Sequence, residues 1–354
     1  MKNNPYIRQH LRDLQPEKLP KTVNEDNDSH CFLNLNINSL YTGKYVFYPS
    51  VLYDQLYEHY LKILPEISNC QDLSLSLKTS QLMFSQGSAE AIDLLIRAYC
   101  EPQKDSIIVT NPTFFYYAYR AKLENVNVID IPLQGENYDV LNCEAITSAE
   151  AKLLFLCHPN NPVGTVLKQE QVELILQYFK GIVVLDEAYI EWSHTSSFVS
   201  FISKYDNLIV LRTFSKIWGL AGIRCGMVLG AEELLKPLKV MQTMFHFPSP
   251  CQQILRSAMD DISILNDSKR ECREILEDLR SFLLSLPLVT KVFPSEANFL
   301  LVEVKECQKL YQFLLGDLIL VKDNSNLIHN TLRISLGTKE KIERLKYYLI
   351  KFPT

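Results

Sequence analysis

Six short runs rich in leucine and β-branched residues recur through the middle of the chain, at positions 107–109, 126–131, 153–157, 182–185, 208–211 and 227–229. A strand with one wet face alternates apolar and polar residues. Runs that mostly lack this alternation suit a largely parallel sheet covered by helices. Helix-like patterns such as 89–99 and 169–179 lie between them. Strand–helix alternation of this kind predicts an α/β domain with right-handed crossovers.

The chain has 354 residues, a length that suits about two domains. After Pro248 and Pro250 the pattern changes. A long helical stretch, 252–286, ends at Pro287. A strand (299–304), a helix (308–315), two short strands (318–321 and 332–335) and a final helix (339–351) follow. This predicts a smaller α+β domain. The division expected is an N-terminal arm over 1–41 that joins the small domain or a partner subunit, a large domain over 42–247 and a small one over 248–354.

Charge and cysteine usage exclude several classes. The net charge is −5, so there is no broad basic field for nucleic acid or an anionic membrane surface. No run approaches the roughly 20 apolar residues that span a bilayer, and the first residues lack the apolar core of a signal peptide. Nine cysteines are scattered with no Cys-x-x-Cys pair. This predicts free thiols in a reducing cytoplasm and neither a zinc site nor a disulfide framework.

Ligands of open α/β sheets bind beyond the carboxyl ends of the strands. The residues following each run therefore locate the candidate site. After 107–109 come Asn111-Pro112-Thr113-Phe114, and after 153–157 come His158-Pro159-Asn160-Asn161-Pro162-Val163-Gly164. After 182–185 come Asp186-Glu187-Ala188-Tyr189. After 208–211 come Thr213-Phe214-Ser215-Lys216, then Gly219, Gly222 and Arg224. Only 11 glycines are present, against an average near 7%, yet four crowd positions 219–230. Taken singly, Asn160-Asn161-Pro162 reads as a turn, Asp186 as a helix cap and Lys216 as a solvated lysine. Together, at equivalent strand ends, they suit pyridoxal phosphate. A lysine amine forms a Schiff base with the cofactor aldehyde, a carboxylate keeps the pyridine nitrogen protonated, and helix amides with a cation hold the phosphate.

These motifs resemble the fold-type I aminotransferases. The phrases Asp186-Glu187-Ala188-Tyr189-Ile190-Glu191, Leu220-Ala221-Gly222-Ile223-Arg224-Cys225-Gly226, Gly87-Ser88-Ala89-Glu90, Pro294-Ser295-Glu296-Ala297-Asn298-Phe299 and Leu332-Arg333-Ile334-Ser335-Leu336-Gly337-Thr338 resemble the histidinol-phosphate aminotransferase branch. The resemblance implies a mostly parallel seven-stranded sheet with helices on both faces, plus the smaller α+β domain. It implies that Lys216 is the Schiff-base lysine and proton carrier, its pKa lowered by a cation such as Arg224. Asp186 would pair with the pyridine nitrogen, Asn161 and Tyr189 would bond the ring hydroxyl, and Phe114 would stack on the ring. Ser88, Ala89, Thr213, Ser215 and Arg224 would hold the phosphate. Tyr48 would reach the phosphate of the neighbouring subunit in a homodimer. Arg333 would clamp the substrate carboxylate.

The departures fall on the substrate side. Asn36-Ile37-Asn38-Ser39 stands where the branch carries Asn-Glu-Asn-Pro, and Leu14-Gln15-Pro16-Glu17 where relatives place a tyrosine. Lys322 replaces an arginine for the substrate phosphate, keeping the charge without the bidentate fork. The expected reaction is amino transfer from an amino acid or amino-alcohol phosphate to 2-oxoglutarate. The rivals are an aminotransferase for aromatic or other amino acids, a lyase such as an amino-acid-phosphate decarboxylase, and a cofactor-binding module without activity.

Overall fold

The computed structural model describes residues 4–12, 14, 36–38, 40, 43, 45–51, 53–70 and 77–353. In chain order the large unit comprises α1 (Asp54–Ile67), β1 (Leu82–Ser85), α2 (Gly87–Tyr99), β2 (Ser106–Val109), α3 (Tyr116–Leu123), β3 (Asn127–Asp130), α4 (Cys143–Ser148), β4 (Leu153–Cys157), α5 (Gln169–Tyr178), β5 (Ile182–Asp186), β6 (Leu208–Thr213), β7 (Gly226–Gly230) and α6 (Glu232–Met241). Then come α7 (Ser249–Asp260), α8 (Ser263–Leu284), β8 (Val289–Val292), β9 (Phe299–Val304), α9 (Cys307–Gly316), β10 (Lys322–Asp323), β11 (Thr331–Ser335) and α10 (Lys339–Lys351).

The seven-stranded sheet has the order β1-β7-β6-β5-β4-β2-β3. It is parallel except for β7, which runs antiparallel to both β6 and β1. Its central strands explain the apolar runs. Every residue of β4, β5 and β6 is buried. Alternate side chains feed two cores: Val183, Leu185 and Val210 pack with α1 and α5, and Ile182, Val184 and Leu211 with α2 and α6. Each such fully buried aliphatic side chain contributes about 1.5–3 kcal/mol. The second sheet is antiparallel throughout, in the order β10-β11-β9-β8, and packs against α8, α9 and α10.

Four details differ from the sequence reading. First, β1 precedes the earliest run recognised and pairs only with β7. Second, the expected helix over 252–286 is two helices. Asp261 is extended, and its Oδ1 accepts from the backbone N of Ser263, ending α7 and opening α8. Third, 318–321 is not a strand. Leu318 closes the preceding helix with positive φ, and pairing begins only at Lys322. Fourth, the start of the N-terminal arm lies on the large unit rather than on the small one. Ile7 and Leu11 join the core beside α2, Arg8 N donates to Ala98 O and Asn4 Nδ2 donates to Glu233 O. Most of the arm, including Gln15-Pro16-Glu17 and Ser39, lies outside the described residues. Among the described residues no helix is long and apolar enough to cross a membrane.

Candidate active site

A cavity of about 680 Å³ opens at the carboxyl edge of the large sheet. Topology explains why so many motifs meet there. Parallel β1, β2, β4, β5 and β6 all end at this edge. β7, running the other way, begins there, so Arg224 and Gly226 arrive from the opposite sense of chain. In register, Gly226 faces both Ser85 of β1 and Thr213 of β6. Twelve of the site residues expected from sequence line this one cavity: Ser88, Ala89, Phe114, Asn161, Asp186, Tyr189, Thr213, Ser215, Lys216, Arg224, Lys322 and Arg333. Tyr48 does not. It is half exposed and stacks on Phe245 at 4.5 Å.

Asp186 ends β5 and is 3% exposed. Burial pushes its carboxyl pKa upward, against the Tyr117 hydroxyl, the Ala188 amide and Lys216, which favour the charged form. Tyr117 donates to Oδ2 at 2.7 Å and Ala188 N to Oδ1 at 3.2 Å. Tyr117 escaped the sequence reading. Its signal was a tyrosine three residues beyond Phe114 on an aromatic helix, but only the fold shows that its hydroxyl reaches Asp186.

Lys216 projects into the cavity from the loop after β6. The buried ring of Phe214 anchors that loop in the core, Leu220 N donates to Phe214 O and Phe214 N to Cys225 O. Ser215 N donates to Thr213 Oγ1 at 3.1 Å, so Thr213 braces the loop as well as lining the site. Lys216 Nζ lies 5.1 Å from the Tyr189 ring centre. Its pKa is lowered by the protein crowded around it, then by Arg333, with Arg224 a smaller cause. The sequence reading had assigned that effect to Arg224.

On the far wall Arg333 Nη1 donates to Asn161 Oδ1 at 2.5 Å, and its guanidinium sits 5.2 Å from the Phe299 ring centre. Asn161 Nδ2 in turn donates to Tyr189 Oη at 3.5 Å. Asn161 thus links Arg333 of the small sheet to Tyr189, in the segment that follows β5 of the large one.

The cavity fits pyridoxal phosphate at three points. The first four amides of a helix lack intrahelical partners, and the Gln86 side chain makes no cap for α2. Gly87 has φ +74, and a Cβ there would come within 2.7 Å of Arg224 Nη2; a Cβ at Gly226 would come within 2.8 Å of Gly87 C. This close approach brings the guanidinium to the helix N-terminus, an arrangement that could hold a phosphate. A buried carboxylate and a lysine of lowered pKa complete the set.

The sequence profile of the aminotransferase class I and II family matches residues 46–347. The histidinol-phosphate aminotransferase of Flavobacterium johnsoniae is 34% identical over 344 residues, covering 96% of this chain and 95% of that protein. Among solved structures, the histidinol-phosphate aminotransferase of Clostridium acetobutylicum is 23% identical with a TM-score of 0.73, covering 85% of this chain and 89% of that one. The L-threonine-O-3-phosphate decarboxylase of Porphyromonas gingivalis is 19% identical with a TM-score of 0.68, covering 85% and 95%; at these identities the likeness shows the fold alone. The chain belongs to the aminotransferase class I and II family and is a pyridoxal-phosphate-dependent aminotransferase. Within that family it stands in the histidinol-phosphate aminotransferase branch.

Proposed function

We propose that this enzyme moves an amino group between histidinol phosphate and 2-oxoglutarate, with glutamate as the amino-acid partner. One observation carries the reading: Lys216, Asp186 and Arg224 from the large unit and Lys322 and Arg333 from the small sheet line a single cavity. Pyridoxal phosphate, when bound, supplies an aldehyde and an electron-withdrawing ring. Lys216 holds it covalently through Nζ and moves the proton at the substrate α-carbon; an amine of lowered pKa suits that work. Asp186 keeps the pyridine nitrogen protonated, with Tyr117 fixing the carboxylate. Asn161 and Tyr189 take the ring hydroxyl, and Phe114 stacks on the ring. The amides of Ser88 and Ala89, with Thr213, Ser215 and Arg224, hold the phosphate.

Arg333 clamps the carboxylate of glutamate and 2-oxoglutarate, and Lys322 meets the distal anion. That anion is the side-chain carboxylate of the amino acid or the phosphate of the amino alcohol. Lys322 and Arg333 are direct cross-strand partners, whose Cβ atoms sit roughly 4.5–5.5 Å apart in such ladders. One ligand can therefore engage both. The enzyme works as a homodimer in which Tyr48, turned away from its own cavity, completes the neighbour's phosphate site.

The test is a half-reaction screen. Histidinol phosphate and single amino acids are mixed with the cofactor-loaded enzyme, and conversion to the pyridoxamine form is followed by absorbance. Histidinol phosphate and glutamate should both convert it. Release of carbon dioxide from an amino-acid phosphate without any oxo acid would favour the lyase reading, which the likeness to the Porphyromonas decarboxylase keeps in view.

A further inference from the structure

The segment from Lys322 to Leu327 forms a ledge along the substrate wall. Lys322 of β10 and, beyond it, Asn324, Asn326 and Leu327 at the turn that follows all line the cavity. Asp323 lies off this face, with Oδ2 accepting from Gln308 Nε2 at 2.6 Å and Oδ1 from Ser325 N at 2.9 Å. The segment's one carboxylate is thereby kept out of the cavity. Among the described residues no carboxylate is within ion-pair distance of Lys322 or Arg333. Like charges placed opposite in a ladder repel, and both cations of this pair line the cavity.

Asn324 is the telling member. It is 4% exposed, and Nδ2 has no hydrogen-bond partner among the described residues. Its backbone is fully used: N donates to Thr331 O, and O accepts from Leu327 N and Ile328 N. The backbone therefore fixes this residue, while a buried amide donor is left unmatched. An unmatched donor of this kind costs about 1–3 kcal/mol, a cost that a ligand acceptor would remove.

We propose that Asn324, assisted by Asn326, is a specificity-determining residue that donates to the distal oxyanion of the substrate, a phosphate monoester. This rests on the reading that Lys322 meets that anion. A lysine presents a point charge without the planar fork of an arginine. The two carboxamides beside it supply the directional donors that a tetrahedral oxyanion requires, and an apolar or aromatic distal group would leave Asn324 unmatched.

The test uses the cofactor-loaded enzyme and pre-steady-state half-reactions with histidinol phosphate and with histidinol, which differ only in the phosphate. In Asn324→Leu, kcat/KM for histidinol phosphate should fall about tenfold or more, as expected for a lost hydrogen bond to a charged group. The value for histidinol should stay within about twofold. Asn326→Ala, at an exposed position that threatens no packing, should shift the same ratio by a smaller factor. Equal losses on both amines, or no loss on either, would overturn the role of Asn324. Wild type tests the substrate reading separately. If it ignores histidinol phosphate but reacts with an amino acid, that reading fails, and the ledge is judged by inorganic phosphate as an inhibitor of the amino-acid half-reaction. A Ki about tenfold weaker in Asn324→Leu upholds the ledge; an unchanged Ki, or no inhibition of either protein, overturns it.

Discussion

On the cavity wall built by the seven-stranded sheet, Asp186 is 3% exposed with both oxygens engaged, and Thr213 braces the lysine loop. Beneath it, Arg212, at 1% exposure, bonds Glu187, Glu191 and Ser68 at 2.9 Å each. On the opposite wall, built by the four-stranded sheet, Lys322 is exposed, Arg333 Nε and Asn324 Nδ2 are without partners among the described residues, and the strand that carries Lys322 is two residues long. On the first wall most buried polar groups are paired before anything binds, Thr113 Oγ1 and Glu191 Oε2 being exceptions among the described residues. The other keeps unmatched donors and cations. A cofactor that stays bound favours rigid preorganisation. Under the proposed function, a wall that meets an amino-alcohol phosphate in one half-reaction and an oxo acid in the other gains from donors left open.

The largest effect that would sharpen this contrast is at Lys216. Lys216→Ala should lower kcat by about 10²–10⁴, the range for losing a positioned acid–base group, with apoenzyme stability little changed by chemical denaturation. Next, Arg212→Met should destabilise the fold by about 3–5 kcal/mol, because it strands two buried carboxylates, while KM for the amino donor in the remaining folded enzyme stays near wild type. Arg333→Ala should do the reverse. It should raise the donor KM at least about thirtyfold, from about 2 kcal/mol of lost charged pairing, with the denaturation midpoint almost unmoved and Arg333→Lys recovering only part of the loss. If Arg212→Met altered substrate KM, or Arg333→Ala unfolded the protein, the division between the walls would break.

A smaller effect concerns pH. His158 is buried beside β4, its Nδ1 accepts from Leu167 N at 3.0 Å, and burial, with Arg212, depresses its pKa from 6.5 to about 3. The unfolded chain therefore takes up a proton on this residue between pH 6.5 and about 3, while the folded chain does not. Its contribution to stability is full above 6.5 and is lost as pH falls through that window. Denaturation of His158→Gln across this range should show a shallower loss than wild type, by at most about 1.36 kcal/mol per pH unit. Identical slopes would remove His158 from the account.

The better-paired wall was also the legible one. Asp186, Asn161, Lys216 and Arg224 follow long buried runs or cluster with glycines, and parallel topology carries such positions to one edge. What the sequence reading missed was β1, the edge strand paired with β7, and the Tyr117–Asp186 bond, which depends on how α3 packs. The open wall was read with errors. The apolar run 318–321 drew the strand too early, and Asn324 and Asn326 reach the cavity through the turn that follows β10. Short strands whose side chains await a ligand leave little periodic trace.

The most direct test of the central claim is borohydride reduction of the purified, cofactor-loaded enzyme followed by peptide mass mapping. A single pyridoxyl adduct on Lys216, absent from Lys216→Ala, is the result predicted. An adduct on another lysine, or an equal yield in the variant, would contradict the assignment of Lys216 as the residue that holds the cofactor.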